Sequence, residues 1–143
     1  MLQELQDIVN AVSDQLGMPT SLTDARLNSI VFGPHDDTEI DSVRRQALLL
    51  RQTPDWVREW FAQYGTETAT GPVRIPGDPE RRLFSRVVVP ARWGSTTCGY
   101  ICLLDPDHKI DEKDLDGVAA AAAEAGRLLH CEQQARYSDA DFG

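Results

Sequence analysis

Leu2, Leu5, Ile8, Val9, Val12 and Leu16 recur at steps of three and four, the spacing of one face of an α-helix. The pattern predicts an amphipathic helix from the N-terminus to Leu16. Gly17 stands where a left-handed C-cap would end it, and Pro19 keeps the helix from resuming. Residues 19–23 and 27–32 then read as two short strands around Asp24-Ala25-Arg26, because an Asp carboxylate accepts a bond from the backbone two residues on. Gly33-Pro34 closes that hairpin.

A second helix is predicted from about Thr38, with Thr38 and Asp41 at capping-box spacing and Ile40, Val43, Ala47 and Leu50 as its apolar stripe. A third follows with Thr53 as N-cap, Pro54 at the first helical position and Asp55 at the positive end of the dipole. Its stripe is Trp56, Val57, Trp60, Phe61 and Tyr64, closed by Gly65. Residues 66–82 carry Gly71-Pro72, Pro76-Gly77 and Pro79 and read as loop with an extended piece at 73–75. Residues 83–92 and 97–104 are β-rich runs around Trp93-Gly94-Ser95, a hairpin in which Pro90 marks a strand end, bulge or edge. The last helix is predicted from about Asp111 to beyond Leu129, followed by a polar, frayed tail over 137–143. The order implies an α+β fold. An antiparallel sheet of about five strands would have the N- and C-terminal helices on one face, and the middle helices plus loops on the other. The face closed by irregular segments is where a pocket is expected.

Length and composition narrow this picture. The 143 residues suffice for one core, and 41% hydrophobic with 26% charged residues is ordinary globular usage. Fourteen basic against 23 acidic residues give a net charge of -9, which repels phosphate backbones and argues against nucleic-acid contact by this chain. No apolar run is long enough to span a bilayer, and residues 1–10 have no basic region of a secretory signal. Three cysteines without a CxxC pair fit a reduced, cytoplasmic setting.

The run Gly71-Pro-Val-Arg-Ile-Pro-Gly-Asp-Pro79, then Arg86-Val-Val-Val-Pro-Ala-Arg92, then Gly99-Tyr-Ile-Cys-Leu-Leu-Asp105 resembles a GAF-type sensory domain. With Trp56-Val-Arg-Glu-Trp-Phe61 before it and Asp114-Leu-Asp-Gly-Val-Ala119 after it, the chain is similar to the N-terminal domain of actinobacterial PucR/CdaR-type transcriptional regulators. The resemblance covers residues 5–129 and implies a GAF/PAS-like sensor domain over 1–136, with 137–143 a polar tail or the start of a linker. It also implies that a small molecule or partner is sensed and the signal passed to a DNA-binding segment; these residues hold none, so the chain reads either as part of a longer regulator, which the polar end of its last helix favours, or as a free-standing sensor. The alternative is a protein–protein interaction or dimerisation module with no small ligand.

Charge placement supplies candidate chemistry. Residues 71–92 hold Arg74, Arg81, Arg82, Arg86 and Arg92 against Asp78 and Glu80, a basic segment in an acidic chain. Arginine presents a planar fork suited to carboxylate or phosphate. A small anionic effector is therefore expected at Arg74, Arg86 and Arg92, with Trp56, Trp60 and Tyr64 lining its cavity. The ordinary alternatives are arginines paired with the acidic helices and an aromatic stripe packed as core. Leu5, Val9 and Val12, with Val118, Ala122 and Leu129, are the candidate interface of a homodimer formed by the terminal helices. Their ordinary alternative is packing on the chain's own sheet.

Catalysis finds little support. The acidic run 105–116 fails as a calcium loop, because Ile110 stands where the sharp turn needs Gly and Lys109 takes a ligand position. Cys98 and Cys102, four apart on one strand, are expected on the same side about 13 Å apart, too far for a disulfide or one metal. His35, His108 and His130 have no ligand spacing. Some GAF-like enzymes reduce free methionine sulfoxide through cysteines, which makes such a reductase the enzymatic rival. No catalytic residue, metal or cofactor is expected.

Overall fold

A computed structural model describes residues 1–34, 40–50 and 52–142, apart from the side chains of 48, 50 and 137–142. In chain order the elements are α1 (Leu2–Leu16), β1 (Thr20–Asp24), β2 (Ser29–Phe32), α2 (Ser42–Leu50), α3 (Asp55–Gln63), β3 (Val73–Ile75), a 3-10 turn at Pro79–Arg81, β4 (Arg86–Trp93), β5 (Thr96–Leu104) and α4 (Glu112–Phe142). All five strands form one antiparallel sheet in the order β2-β1-β5-β4-β3. The two hairpins therefore share a sheet, as the sequence pattern requires, and the α+β arrangement is consistent with a GAF/PAS-like fold.

The two faces carry separate cores. On one, Leu5, Val9 and Val12 of α1 and Leu115, Val118, Ala122, Ala125 and Leu129 of α4 pack against Leu22, Val87, Val89, Ile101 and Leu103. Leu5, Val9, Ile101 and Leu103 are completely buried, each contributing about 1.5–3 kcal/mol by leaving water. On the other face, Val43, Val57 and Phe61 of α2 and α3 cover Val88, Tyr100, Cys102 and Ile75. The six residues expected at a dimer interface (Leu5, Val9, Val12, Val118, Ala122, Leu129) all lie in the first core, at 7% exposure or less. The amphipathic stripes of α1 and α4 are satisfied by this chain's own sheet, which leaves those side chains no surface to offer a second copy.

Local chemistry explains most element ends. Gly17 takes φ +67° and donates its N–H to Ser13 O, a left-handed C-cap. Asp24 Oδ1 accepts the N–H groups of Arg26 and Asn28, each at 2.9 Å, and holds the β1–β2 turn. Pro90 lies past the end of β3, where β4 has a neighbour on one side only, a position suited to a residue without an N–H. Asp111 and Asp114 exchange backbone-to-carboxylate bonds at 3.1 and 2.9 Å, a reciprocal cap at the start of α4. Asp105, buried, accepts the N–H groups of Lys109 and Ile110 and fixes the preceding turn.

Four expectations are corrected. Thr53 is not the N-cap of α3: its hydroxyl donates to Leu27 O at 2.6 Å and its N–H to Asn28 Oδ1, tying it to the β1–β2 turn, and Pro54 becomes the cap. The cap expected at Thr38 lies outside the described residues, and α2 starts at Ser42, with Asp41 Oδ1 accepting the Arg44 N–H at 2.7 Å. Cys98 and Cys102 sit on opposite faces. The ladder pairs Ala91 with Gly99 but Arg92 with Thr97, so Cys98 is an extra, unpaired residue, and this bulge inverts the alternation of β5. Finally, residues 137–142 continue α4 rather than fraying.

Candidate functional site

Helix α2 turns Val43, Arg44 and Ala47 inward and leaves Ser42, Arg45 and Gln46 exposed. A guanidinium thus enters the core beside two apolar side chains. Arg86, at the start of β4, comes from the sheet side, and both arginines are buried, at 6% and 4% exposure. Asp41 sits between them at the head of α2. Its Oδ2 accepts Arg86 Nη2 in a short ion pair and the Phe84 N–H at 2.8 Å, while its Oδ1 caps Arg44 N–H. Arg86 also lies over the Phe61 ring, 5.6 Å from its centroid.

A cavity of about 30 Å³ opens beside this cluster, between the sheet and α2/α3. Ser21, Thr23 and Cys102 line it from the strands, Arg44 and Val57 from the helices, and Thr53 from the turn before α3. Its volume is about that of one water molecule. Arg44 Nη2 is buried there without a hydrogen-bond partner among the described residues. Burial, and then the charge of Arg86, pull the Arg44 guanidinium down from its ordinary value to about 10. Burial likewise pushes the Cys102 thiol up, against the opposing pull of Arg44 and Arg86, so Cys102 is a neutral thiol at pH 7 and a poor nucleophile. Among the described residues, no group of three His, Cys, Asp or Glu side chains is placed to hold a metal.

Larger clefts lie outside the core. Thr53 also lines one of about 560 Å³ with Arg26, Asn28 and Arg58. Arg86 also lines one of about 270 Å³ with Arg74, Asp105 and His108. Another, of about 620 Å³, runs from Asp41 and Arg45 to Arg82 and Phe84.

Of the residues singled out from sequence, Arg86 is central to the inner cluster. Arg74 shares only the outer cleft with it, and its Nη2 already donates to Ile110 O at 2.9 Å and approaches Glu112. Trp56 and Trp60 do not line the inner cavity. They hold the Arg81 guanidinium at 4.2 and 5.3 Å from their ring centroids, and Trp60 Nε1 donates to Pro76 O. Tyr64 is partly exposed, edge-on to Trp60. These aromatics pin α3 to the 76–81 segment, while Val57 and Phe61, one row round the helix, face the cavity. Arg92 stands at the far end of β4, where its Nη2 donates to Ser95 O, remote from the cluster. Sequence reasoning missed Asp41 and Arg44 as a pair. The available signal was an Asp three residues before an Arg that adjoins the apolar stripe of a short helix.

No helix among the described residues is long and apolar enough to cross a membrane. No family model matches the chain. Over 131 residues, 89% of this chain, it is 21% identical to the proline-responsive transcriptional activator PutR of Bacillus subtilis (strain 168). The alignment takes in 32% of that protein, so the chain spans about a third of the length of the curated relative it matches. That relative is by name a transcriptional activator, and the similarity to it is distant.

Proposed function

We propose that this chain is the signal-sensing part of a transcriptional regulator, and that its effector binds between the sheet and α2/α3. The observation that carries the reading is the small, mostly apolar cavity on that face, into which a buried arginine brings a nitrogen with no partner among the described residues. Packing alone gives no reason to bury such a group, since apolar residues of similar volume stabilise a core at least as well. PutR is by name proline-responsive, and a compact amino acid of that size is the first effector to test here.

The cavity as it stands is too small for a whole amino acid, so binding requires α2 or α3 to shift. Both are nine-residue helices, and segments that move on binding are drawn from the less stable parts of a fold. Strand β5 joins the two faces: Tyr100 and Cys102 pack in the core under α2/α3, with Cys102 lining the cavity, while Ile101 and Leu103 hold α1 and α4. An effector that favours one packing of α2/α3 therefore shifts the population of α4 positions. Cys131 and residues 133–136 of α4 are exposed beyond the core, and this end of the helix is the output, with DNA contact left to other parts of the regulator. A homodimer would have to form away from the six core residues named above, which light scattering on the purified chain addresses.

A thermal-shift screen of L-proline, other small carboxylates, purines and nucleotides tests the reading. A ligand at 100 times its Kd stabilises by about 2.7 kcal/mol, raising Tm by roughly 5–10 °C for a domain of this size. No shift with any compound overturns the effector reading in favour of an interaction module.

A further inference from the structure

We infer that Arg44 anchors the carboxylate of a ligand carrying a single negative charge in its head group. The inference rests on the effector reading above and adds the ligand's chemical class. Charge counting is the first support. The buried cluster holds two guanidinium groups, Arg44 and Arg86, and one carboxylate, Asp41, each at 6% exposure or less. Asp41 gives its Oδ2 to Arg86 and to the Phe84 N–H, and touches Arg44 only through the backbone N–H. Among the described residues, the Arg44 guanidinium is thus left in the core without a carboxylate bound to it. Cys102 does not neutralise it, because burial keeps its thiol protonated.

Donor geometry is the second support. Thr23 Oγ1 donates to Asp24 O at 2.8 Å and Thr53 Oγ1 donates to Leu27 O at 2.6 Å. Both hydroxyl protons are committed to backbone carbonyls, whereas Arg44 Nη2 has no acceptor among the described residues. A water in the cavity would accept that N–H but leave the charge uncompensated. A carboxylate oxygen does both, and charge-assisted hydrogen bonds of this kind are about twice as strong as neutral ones.

Space is the third. The cavity of about 30 Å³ admits a head group and no more. Thr53 lines both this cavity and the cleft of about 560 Å³, so a shift of α3 at Thr53 would let the body of a ligand whose head meets Arg44 pass into that cleft. A second negative charge at the head would overcompensate the cluster, which selects monocarboxylates over dicarboxylates at this point.

The test compares acids with their own amides, acetate with acetamide, lactate with lactamide and glycine with glycinamide, by calorimetry and by the Arg44 Nε–H resonance of the 15N-labelled chain. The acids are expected to bind at least tenfold tighter than the amides and to move the Arg44 resonance. Arg44→Met should lose at least tenfold in acid affinity, and Arg44→Lys should recover part of it. The resonance is read on the unaltered chain, so the outcome does not depend on either variant folding. Acid and amide binding alike, undiminished acid binding by Arg44→Met, or no acid binding at all overturns the assignment. An uncharged compound that binds both forms equally overturns only the carboxylate, and the effector reading stands. Silence from these acids and from the wider screen overturns both.

Discussion

Replacing Asp41 by Asn removes one negative charge from a site that already holds two positive ones. In the native cluster Asp41 accepts three hydrogen bonds, from Arg86 Nη2, Phe84 N–H and Arg44 N–H. Asn offers one carbonyl oxygen to those donors and turns an NH2 group toward the rest. Breaking a buried ion pair from one side costs about 3–5 kcal/mol, because the surviving charge stays buried without a partner. Here the survivor is Arg86, 4% exposed, with Arg44 beside it. Domains are stable by only about 5–15 kcal/mol, so the substitution removes a large share of the total. With a urea m-value of about 1–3 kcal/mol/M, the midpoint should fall by more than about 1 M in unfolding followed by far-UV circular dichroism. The paired variant Asp41→Asn with Arg86→Met should be less damaged than the two single losses combined, since it removes the orphaned charge as well. An Asp41→Asn variant within 1 kcal/mol of the parent, or strict additivity in the double variant, would refute the reasoning.

Other consequences follow from the same geometry. Arg44→Met should stabilise the ligand-free protein at pH 7, since burial lowers the Arg44 pKa to about 10 and each unit of lowering costs about 1.4 kcal/mol. Below pH 10 Arg44 is charged in folded and unfolded chains alike and the penalty is complete. Above pH 10 the folded chain gives up the proton before the unfolded one does, so the advantage of Arg44→Met should shrink by about 1.4 kcal/mol per pH unit there; urea unfolding of both proteins at pH 7 and pH 11 reads the difference, and a constant gap contradicts it. Gly126→Ala should destabilise by about 1–3 kcal/mol in thermal unfolding, despite the higher helix propensity of Ala, because the new Cβ would stand 2.3 Å from Arg92 O; a raised Tm would contradict this. In thiol titration Cys131 should react at once and Cys98 and Cys102 only on unfolding, since the first is exposed and the other two are buried; a second fast thiol would contradict the packing.

The terminal helices, the Asp24 turn and the single antiparallel sheet are legible in the chain because each rests on a local or periodic signal. Gly17 ends α1 through its own left-handed φ, and the stripe of Leu5, Val9 and Val12 needs no knowledge of its partner. What escaped depends on tertiary context. The bulge at Cys98 has no local mark, yet one extra residue sends that side chain to the opposite core. Helix α3 carries two adjacent apolar rows, Trp56–Trp60–Tyr64 and Val57–Phe61, and periodicity does not say which row meets the sheet. Arg44 reads as part of a polar face until Asp41 and Arg86, 45 residues apart, are brought together. The basic segment 71–92 pointed to one of the two buried arginines and missed the other, because α2 supplies it from outside that segment.

The central claim is that the effector lies between the sheet and the two middle helices. Hydrogen exchange of the chain, with and without whichever compound raises its Tm, tests this most directly. The account predicts slowed exchange in Ser42–Leu50 and Asp55–Gln63 and a changed rate in α4 beyond Leu129. Protection confined to α1, or to residues 77–85 along the cleft of about 620 Å³, would contradict it.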